Sequence, residues 1–163
     1  MIPFLMTLAC FNAAATETPS ADHLKSVNAE TVDWKAKELP YWKEVLSDEQ
    51  VRVCRQAGTE RPWSSALNEV KDPGVYTCSS CGLALFDQEA KFDSGTGWPS
   101  FNAPVADEAV SLHSDMAFGM MRTEVKCGRC DAHLGHVFND GPAPTGKRYC
   151  INGVCLLKDA PTE

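Results

Sequence analysis

Short runs of β-branched and aromatic residues, separated by turn-forming residues, make up the chain after residue 74. Asp72-Pro73-Gly74, Asp140-Gly141-Pro142 and Pro144-Thr145-Gly146 mark turns between these runs. Because no long helical pattern lies between the runs, they predict antiparallel sheets and not a βαβ array. The predicted strands are residues 75–77, 83–86, 121–125, 136–138, 148–152 and 154–157.

The part of the chain before these strands has the pattern of short helices. Residues 39–46 have the pattern of one or two helical turns. Ser47 and Gln50 then occupy the N-cap and N3 positions of a capping box. A helix is therefore predicted from Ser47 to Gly58, which as a glycine would end it. Cys54 lies within this predicted helix.

The first sixteen residues carry no charge and include an apolar run that is too short to span a bilayer. Leu8-Ala9-Cys10 loosely resembles a lipid-attachment box, and the alanines at 13–15 suit a cleavage site, but no basic n-region opens the segment. An export leader and a simple apolar tail are the two readings. We expect residues 1–22 to be a leader with linker, residues 23–163 to be one domain, and the location to be the periplasm or cell envelope.

The composition and net charge of the chain limit the kinds of molecule it is expected to bind. The chain has 163 residues, of which 44% are hydrophobic and 23% charged, as in ordinary globular domains. With 15 basic and 22 acidic residues the net charge is −7, and no basic cluster is present. A nucleic-acid partner is therefore not expected, because it would require a basic face. We expect a monomer.

Four of the eight cysteines form two C-x2-C pairs, Cys78 with Cys81 and Cys127 with Cys130. Four thiolates complete the tetrahedral shell of Zn²⁺ and leave no position for water, so the pattern predicts one structural zinc ion. The ion would join two turns that are distant in sequence. Disulfides, redox-active pairs of the thioredoxin type and an iron–sulfur cluster are the alternatives.

Cys150 lies in a predicted strand with Arg148 and Asn152 on the same face, because strand side chains alternate. A neighbouring cation favours the thiolate, which is the reactive form of cysteine. The alternative is that Cys150 is a small core residue.

Five blocks together resemble the methionine-R-sulfoxide reductase (MsrB) family in its zinc-containing form. They follow the family's order across residues 42–157. The blocks are Gly-Thr-Glu-Arg-Pro-Trp at 58–63, Cys-Ser-Ser-Cys-Gly at 78–82, Lys-Phe-Asp-Ser-Gly-Thr-Gly-Trp-Pro-Ser-Phe at 91–101, Cys-Gly-Arg-Cys-Asp-Ala-His-Leu-Gly-His-Val-Phe at 127–138 and Gly-Lys-Arg-Tyr-Cys-Ile-Asn at 146–152.

The resemblance implies a mainly β fold of two antiparallel sheets, tent-like or barrel-like, with short N-terminal helices. It also implies an oxidoreductase that reduces methionine-R-sulfoxide, free or in proteins, through a sulfenic acid. A disulfide recycled by thioredoxin or a thioredoxin-like reductant would follow. The implied residues are Cys150 as nucleophile, Trp98 as the wall for the substrate methyl group, His133, His136 and Asn152 around the sulfoxide oxygen, Arg148 beside the nucleophile, and Cys78, Cys81, Cys127 and Cys130 as zinc ligands.

These roles suit the chemistry, since a thiolate attacks sulfur while an imidazole supplies a proton to the departing oxygen. We favour His136 over His133 as that donor. Other readings stay open from the residues alone. Trp98 fits a core position, His133 fits a structural role, and the two histidines fit a metal site.

The chain departs from the family at Thr96, where many members carry the resolving cysteine of the Ser-Gly-Cys-Gly-Trp block. Cys54 and Cys155 are the remaining candidates. Cys155 follows Cys150 by an odd offset, which in an extended strand points it to the opposite face. We therefore predict Cys54 as the resolving thiol, its alternative being a buried cysteine beside Val51.

Two other functions compete with the reductase. A non-catalytic, zinc-stabilised β binding module would use Trp98 but would not require Cys150. A thiol hydrolase would pair Cys150 with His136, but the chain has no recognisable nucleophile turn.

Overall fold

The computed structural model describes Leu24, residues 31–116 and residues 119–159. The predicted leader, residues 1–22, and Cys10 lie outside the described residues. Within the described part of the chain, no helix has both the length and the apolar character needed to cross a membrane.

Two short helices precede the sheets. Helix α1 covers Leu39–Val45, with Pro40 in its first turn, where a missing N–H costs nothing. Trp42 is buried in it and its ring stacks on Trp34 at a centroid distance of 6.1 Å. Helix α2 covers Asp48–Gln50.

The predicted capping box is present in α2. Gln50 N–H donates to Ser47 Oγ at 3.2 Å, and Ser47 N–H donates to Gln50 Oε1 at 3.0 Å. The rest of the predicted helix differs, because Val51–Arg55 form a wider π-helical turn. The left-handed residue that follows is Ala57 (φ 54°), not Gly58. Gly58 is needed for close approach, since a Cβ there would lie 2.7 Å from the carbonyl oxygen of Arg52.

The prediction of antiparallel sheets is confirmed. The strands are β1 Val75–Cys78, β2 Ala84–Asp87, β3 Lys91–Phe92, β4 Ser100–Phe101, β5 Val110–Asp115, β6 Arg122–Cys127, β7 His133–Phe138, β8 Arg148–Ile151 and β9 Leu156–Asp159. The three-stranded sheet has the order β2-β1-β9, and the six-stranded sheet has the order β3-β4-β8-β7-β6-β5. All pairings are antiparallel.

Strands β3, β4 and β5 were absent from the sequence prediction. Strands β3 and β4 pair with each other and have only two residues each, which is too short for an alternating pattern to be recognised. The predicted strand at 154–157 is displaced, because Gly153–Cys155 form a 3₁₀ turn and β9 begins only at Leu156.

Aromatic side chains pack the two sheets together. Phe86 of β2 stacks on Phe101 of β4 at a centroid distance of 4.4 Å, and Tyr76 of β1 meets Phe101 edge-on at 5.0 Å. Such pairs contribute roughly 0.5–1.5 kcal/mol each beyond the area they bury. The core therefore lies between β1–β2 and β4.

Cys54 and Cys155 form a disulfide that ties the π-helical turn to the 3₁₀ turn. Both residues are buried. The prediction that Cys54 is a free resolving thiol is therefore wrong for this structure. It treated residues 154–157 as extended, whereas the 3₁₀ turn aims Cys155 at Cys54 and leaves both thiols engaged with each other.

This disulfide predicts a large stability difference. Cys54→Ser should lower the free energy of unfolding by roughly 2–4 kcal/mol, because the bond closes a long loop across a sequence separation of 101. Denaturant unfolding of the variant and of the wild type, with and without reductant, measures it. Cys155→Ser should give a similar loss, and the double variant little more. An identical midpoint for oxidised and reduced wild type would contradict the prediction.

Candidate active site

Cys150 lies in β8 between two other strands of the six-stranded sheet. Its register partner in β4 is Ser100, and its partner in β7 is His136. Directly paired residues of antiparallel strands project from the same face of the sheet. The register therefore places the thiol, a hydroxyl and an imidazole side by side.

A chain of hydroxyl groups approaches the thiol from the loop between β3 and β4. Thr96 Oγ1 lies 4.0 Å from Cys150 Sγ. Ser94 Oγ lies 2.8 Å from Thr96 Oγ1 and 2.7 Å from Ser100 Oγ. Thr96 thus contacts the thiol directly.

Burial raises the pKa of the Cys150 thiol above its ordinary value. The hydrogen bond with Thr96 and the positive charge of Arg148 oppose this effect without cancelling it. Arg148 therefore lowers the pKa of the thiol, as the sequence predicts, but desolvation raises this pKa by more.

Arg148 is held in place from two sides. Its Nε and Nη2 donate to the two carboxylate oxygens of Asp140 at 2.8 and 2.9 Å. Its guanidinium carbon also lies 4.5 Å from the ring centroid of Phe138. The fork geometry and the ring fix the cation beside Cys150, two residues along the strand.

Each of the two histidines is paired with a carboxylate. His136 Nε2 lies 2.8 Å from Asp115 Oδ2, which also accepts from Arg122 Nη2 at 2.8 Å. His133 Nδ1 lies 2.7 Å from Glu124 Oε1. The sequence analysis missed both carboxylates: Asp115 lies on β5, which was not recognised, and Glu124 lies on the predicted strand β6, whose pairing with β7 the sequence does not reveal.

The two imidazole rings lie 5.6 Å apart, edge to face. Burial lowers the pKa of His133, and Glu124 opposes this shift. Near neutral pH His133 therefore favours its neutral form. Among the described residues, the group of side chains placed to hold a metal ion is the cluster of four cysteines and includes neither histidine, so the metal-site reading has no support.

Asn152 follows β8 and is buried, with both polar atoms of its side chain bonded to main-chain groups. Its Oδ1 accepts from Glu60 N–H at 3.0 Å, and its Nδ2 donates to the Leu134 carbonyl at 2.9 Å. These bonds tie the end of β8 to β7. The amide thus holds the strands that carry Cys150 and His136.

Trp98 is half-buried, and its Nε1 donates to the Glu60 carbonyl at 3.3 Å. It lines a cavity of about 240 Å³ together with Trp63, Lys91 and Phe92. Trp63 is 61% exposed and was not recognised from the sequence. The indole of Trp98 therefore faces open space as well as the protein interior.

The four cysteines of the two C-x2-C pairs come together in one buried cluster. Their Sγ atoms all lie within 4.8 Å of one another. Cys78 and Cys130 are separated by 3.8 Å, and Cys81 and Cys127 by 3.6 Å. A tetrahedral Zn²⁺ with bonds of about 2.3 Å requires S···S distances of about 3.8 Å, so the donor set fits this metal.

The fold and the site define a β-sheet thiol enzyme with a buried four-cysteine cluster that could hold a metal ion. The SelR domain model matches residues 46–159. MsrB proteins of Pseudomonas putida and Pseudomonas fluorescens are 58% and 60% identical over 120 residues, which is 74% of this chain and 92% of each relative. The Pseudomonas syringae pv. syringae protein is 58% identical over 125 residues, or 77% of this chain and 95% of its own length.

The chain belongs to the MsrB family. These relatives carry the name peptide methionine sulfoxide reductase MsrB. The crystal structure of the Mis18 'Yippee-like' domain overlaps 56% of the chain with a TM-score of 0.43 and 19% identity, which is too little to carry an argument.

Proposed function

We propose that this chain reduces methionine-R-sulfoxide, free or within proteins, to methionine, with Cys150 as the nucleophile. The observation that carries the proposal is the thiol of Cys150 between His136 and Ser100 in the sheet, in contact with Thr96. The 58–60% identity to proteins named as peptide methionine sulfoxide reductases supports the reaction class. The chain is accordingly an oxidoreductase.

The chemical step is a transfer of oxygen from sulfoxide sulfur to cysteine sulfur. The Cys150 thiolate attacks the sulfoxide sulfur and forms an S–S bond while the oxygen is protonated. The oxygen then moves to the Cys150 sulfur, so that a new S–O bond forms as the sulfoxide S–O bond and the S–S bond break, and methionine leaves. Cys150 ends as a sulfenic acid and is oxidised by two electrons, while the substrate sulfur is reduced by two. A proton from an imidazole neutralises the departing oxygen. Trp98 offers an apolar face to the substrate S-methyl group, and Arg148 favours the thiolate.

Regeneration of the thiol requires a second sulfur. Among the described residues, the other cysteines are in the four-sulfur cluster or in the Cys54–Cys155 disulfide. We infer that an external thiol, from thioredoxin or a thioredoxin-like domain, attacks the sulfenic acid directly. Water leaves, a mixed disulfide forms, and a second thiol of the reductant releases Cys150.

We propose that the four-sulfur cluster holds one Zn²⁺ in a structural role. The full set of sulfur ligands leaves no position for substrate, and His133 and His136 are bonded elsewhere. We also propose that the protein acts as a monomer.

We propose that the protein works in the periplasm or cell envelope. The buried Cys54–Cys155 disulfide supports an oxidising compartment, since such bonds are rare in the reducing cytosol. Thiol trapping in cell fractions tests this, and a protein found only in the cytosol with Cys54 reduced would contradict it.

Cys150→Ser should reduce turnover of methionine-R-sulfoxide by about 10³-fold or more, because a hydroxyl is a far poorer nucleophile than a thiolate. Methionine release from each purified epimer, with dithiothreitol as reductant, measures it. The wild type should act on the R epimer and not on the S epimer. The double variant Cys54→Ser/Cys155→Ser is the matched control and should keep turnover with both dithiothreitol and thioredoxin. Turnover by Cys150→Ser would contradict the mechanism.

Cys127→Ser should abolish stoichiometric zinc and sharply lower thermal stability, because zinc binding by such sites is coupled to folding at about 10–16 kcal/mol in model peptides. Metal analysis and thermal melting measure it, with Ser114→Ala at an exposed position of β5 as a control. A wild-type protein that purifies without metal and melts as the zinc-loaded form does would refute the structural role.

Thr96→Cys should give the enzyme an internal resolving thiol, because Thr96 Oγ1 already lies 4.0 Å from Cys150 Sγ. After one turnover without reductant, mass spectrometry should find a disulfide between positions 96 and 150 in the variant and a sulfenic acid in the wild type. Thr96→Ser is the control and should behave as the wild type. Failure of the variant to form this disulfide would show that the loop does not reach the nucleophile.

A further inference from the structure

Glu60 is a buried carboxylate in the loop that follows the π-helical turn, and it caps the chain reversal just after β8. Its Oε1 accepts from Gly153 N–H at 2.6 Å, and its Oε2 accepts from Val154 N–H at 2.8 Å. Both donors belong to the 3₁₀ turn that follows Asn152. Each carboxylate oxygen thus has its own main-chain donor.

The main chain of the same residue makes two further contacts with the active site. Glu60 N–H donates to Asn152 Oδ1 at 3.0 Å, and the Glu60 carbonyl accepts from Trp98 Nε1 at 3.3 Å. Asn152 in turn bonds the Leu134 carbonyl through both its main-chain N–H at 2.8 Å and its Nδ2 at 2.9 Å. Glu60 therefore connects the indole, the end of β8 and β7.

The 3₁₀ turn that receives these bonds is closely packed at Gly153. A Cβ on Gly153 would lie 2.0 Å from Ser65 Oγ and 3.3 Å from Glu60 Oε1. The 3₁₀ turn is also anchored by the Cys54–Cys155 disulfide. Glu60, Asn152, Trp98 and the 3₁₀ turn at Gly153–Cys155 together form a junction. Within this junction, Glu60 is the residue whose side chain carries a charge.

We propose that Glu60 is a positioning residue of the reductase, fixing the Cys150 strand and the Trp98 indole in one arrangement so that the thiolate meets the sulfoxide sulfur. This proposal rests on the function proposed above. Cys150 lies on the strand that ends at the Glu60-capped turn, and Trp98 is bonded to Glu60 itself. Displacing either by about 1 Å is enough to cost on the order of 10²-fold in rate.

The ionised carboxylate suits this junction better than an amide. Two N–H donors face two acceptor oxygens, and each such charge-assisted bond is about twice as strong as a neutral one. Burial raises the pKa of Glu60, and the bonds from Gly153 and Val154 oppose that shift. In Glu60→Gln, one acceptor becomes an NH₂ group that confronts an N–H donor and forces the 3₁₀ turn to move.

The test compares Glu60→Gln with Asp87→Asn. Asp87 also caps a 3₁₀ turn through one carboxylate oxygen, with Glu89 N–H at 2.8 Å, but it lies at the end of β2 in the other sheet. The single-turnover rate constant for methionine-R-sulfoxide is measured at saturating substrate, per zinc-containing folded molecule. Glu60→Gln should lower it by about 10²-fold with a smaller change in KM, and Asp87→Asn should leave it unchanged.

A loss of stability alone does not lower this rate constant, because the rate constant is expressed per folded molecule. Glu60→Asp keeps the charge but shortens the side chain, and its rate constant should fall between those of the wild type and Glu60→Gln. If Glu60→Gln does not fold, Glu60→Asp replaces it in the comparison with Asp87→Asn. A wild-type rate constant in a folded Glu60 variant, with only a lowered melting temperature, would overturn the positioning role. Absence of any burst in the wild type would instead overturn the proposed function.

Discussion

The four-sulfur cluster joins a hairpin of each sheet to the other, apart from the aromatic core, and the arrangement of the active site depends on it. Cys78 ends β1 and Cys81 lies in the turn before β2, while Cys127 ends β6 and Cys130 lies in the turn before β7. One metal ion bound there would connect a hairpin of the small sheet to a hairpin of the large one. Arg55 reinforces the junction by donating to the Cys130 carbonyl at 3.0 Å.

The path from this cluster to the nucleophile is short. His133 begins β7 only three residues after Cys130, and His136 of the same strand is the register partner of Cys150. The register of β6 with β7 shifts once between His133 and Gly135, and from Gly135 onward the unbroken pairing of β7 with β8 sets the imidazole of His136 beside the thiol. The four-sulfur cluster and the sulfur of Cys150 are thus linked through β7, although they belong to separate sites.

Local patterns were sufficient to predict the four-cysteine cluster, the capping box and most strands. The C-x2-C pairs need only a tight turn each, and Ser47 and Gln50 are three residues apart, so short-range geometry determines both. The disulfide between Cys54 and Cys155 could not be obtained this way, because it depends on a 3₁₀ turn within an apparent strand. The same limitation concealed Asp115 and Glu124, whose proximity to the histidines arises from the pairing of β6 with β5 on one side and with β7 on the other.

Burial influences the pKa values of Cys150 and His133 more strongly than the neighbouring charges do. Desolvation raises the pKa of Cys150 and lowers that of His133, even though each has a partner that favours its charged form. Near neutral pH both groups therefore favour the neutral state in the resting site. Charge develops there only when the thiol loses its proton and the sulfoxide oxygen gains one, so the two transfers are coupled. Arg148 and Thr96, which both favour the thiolate, lower the cost of that coupled step.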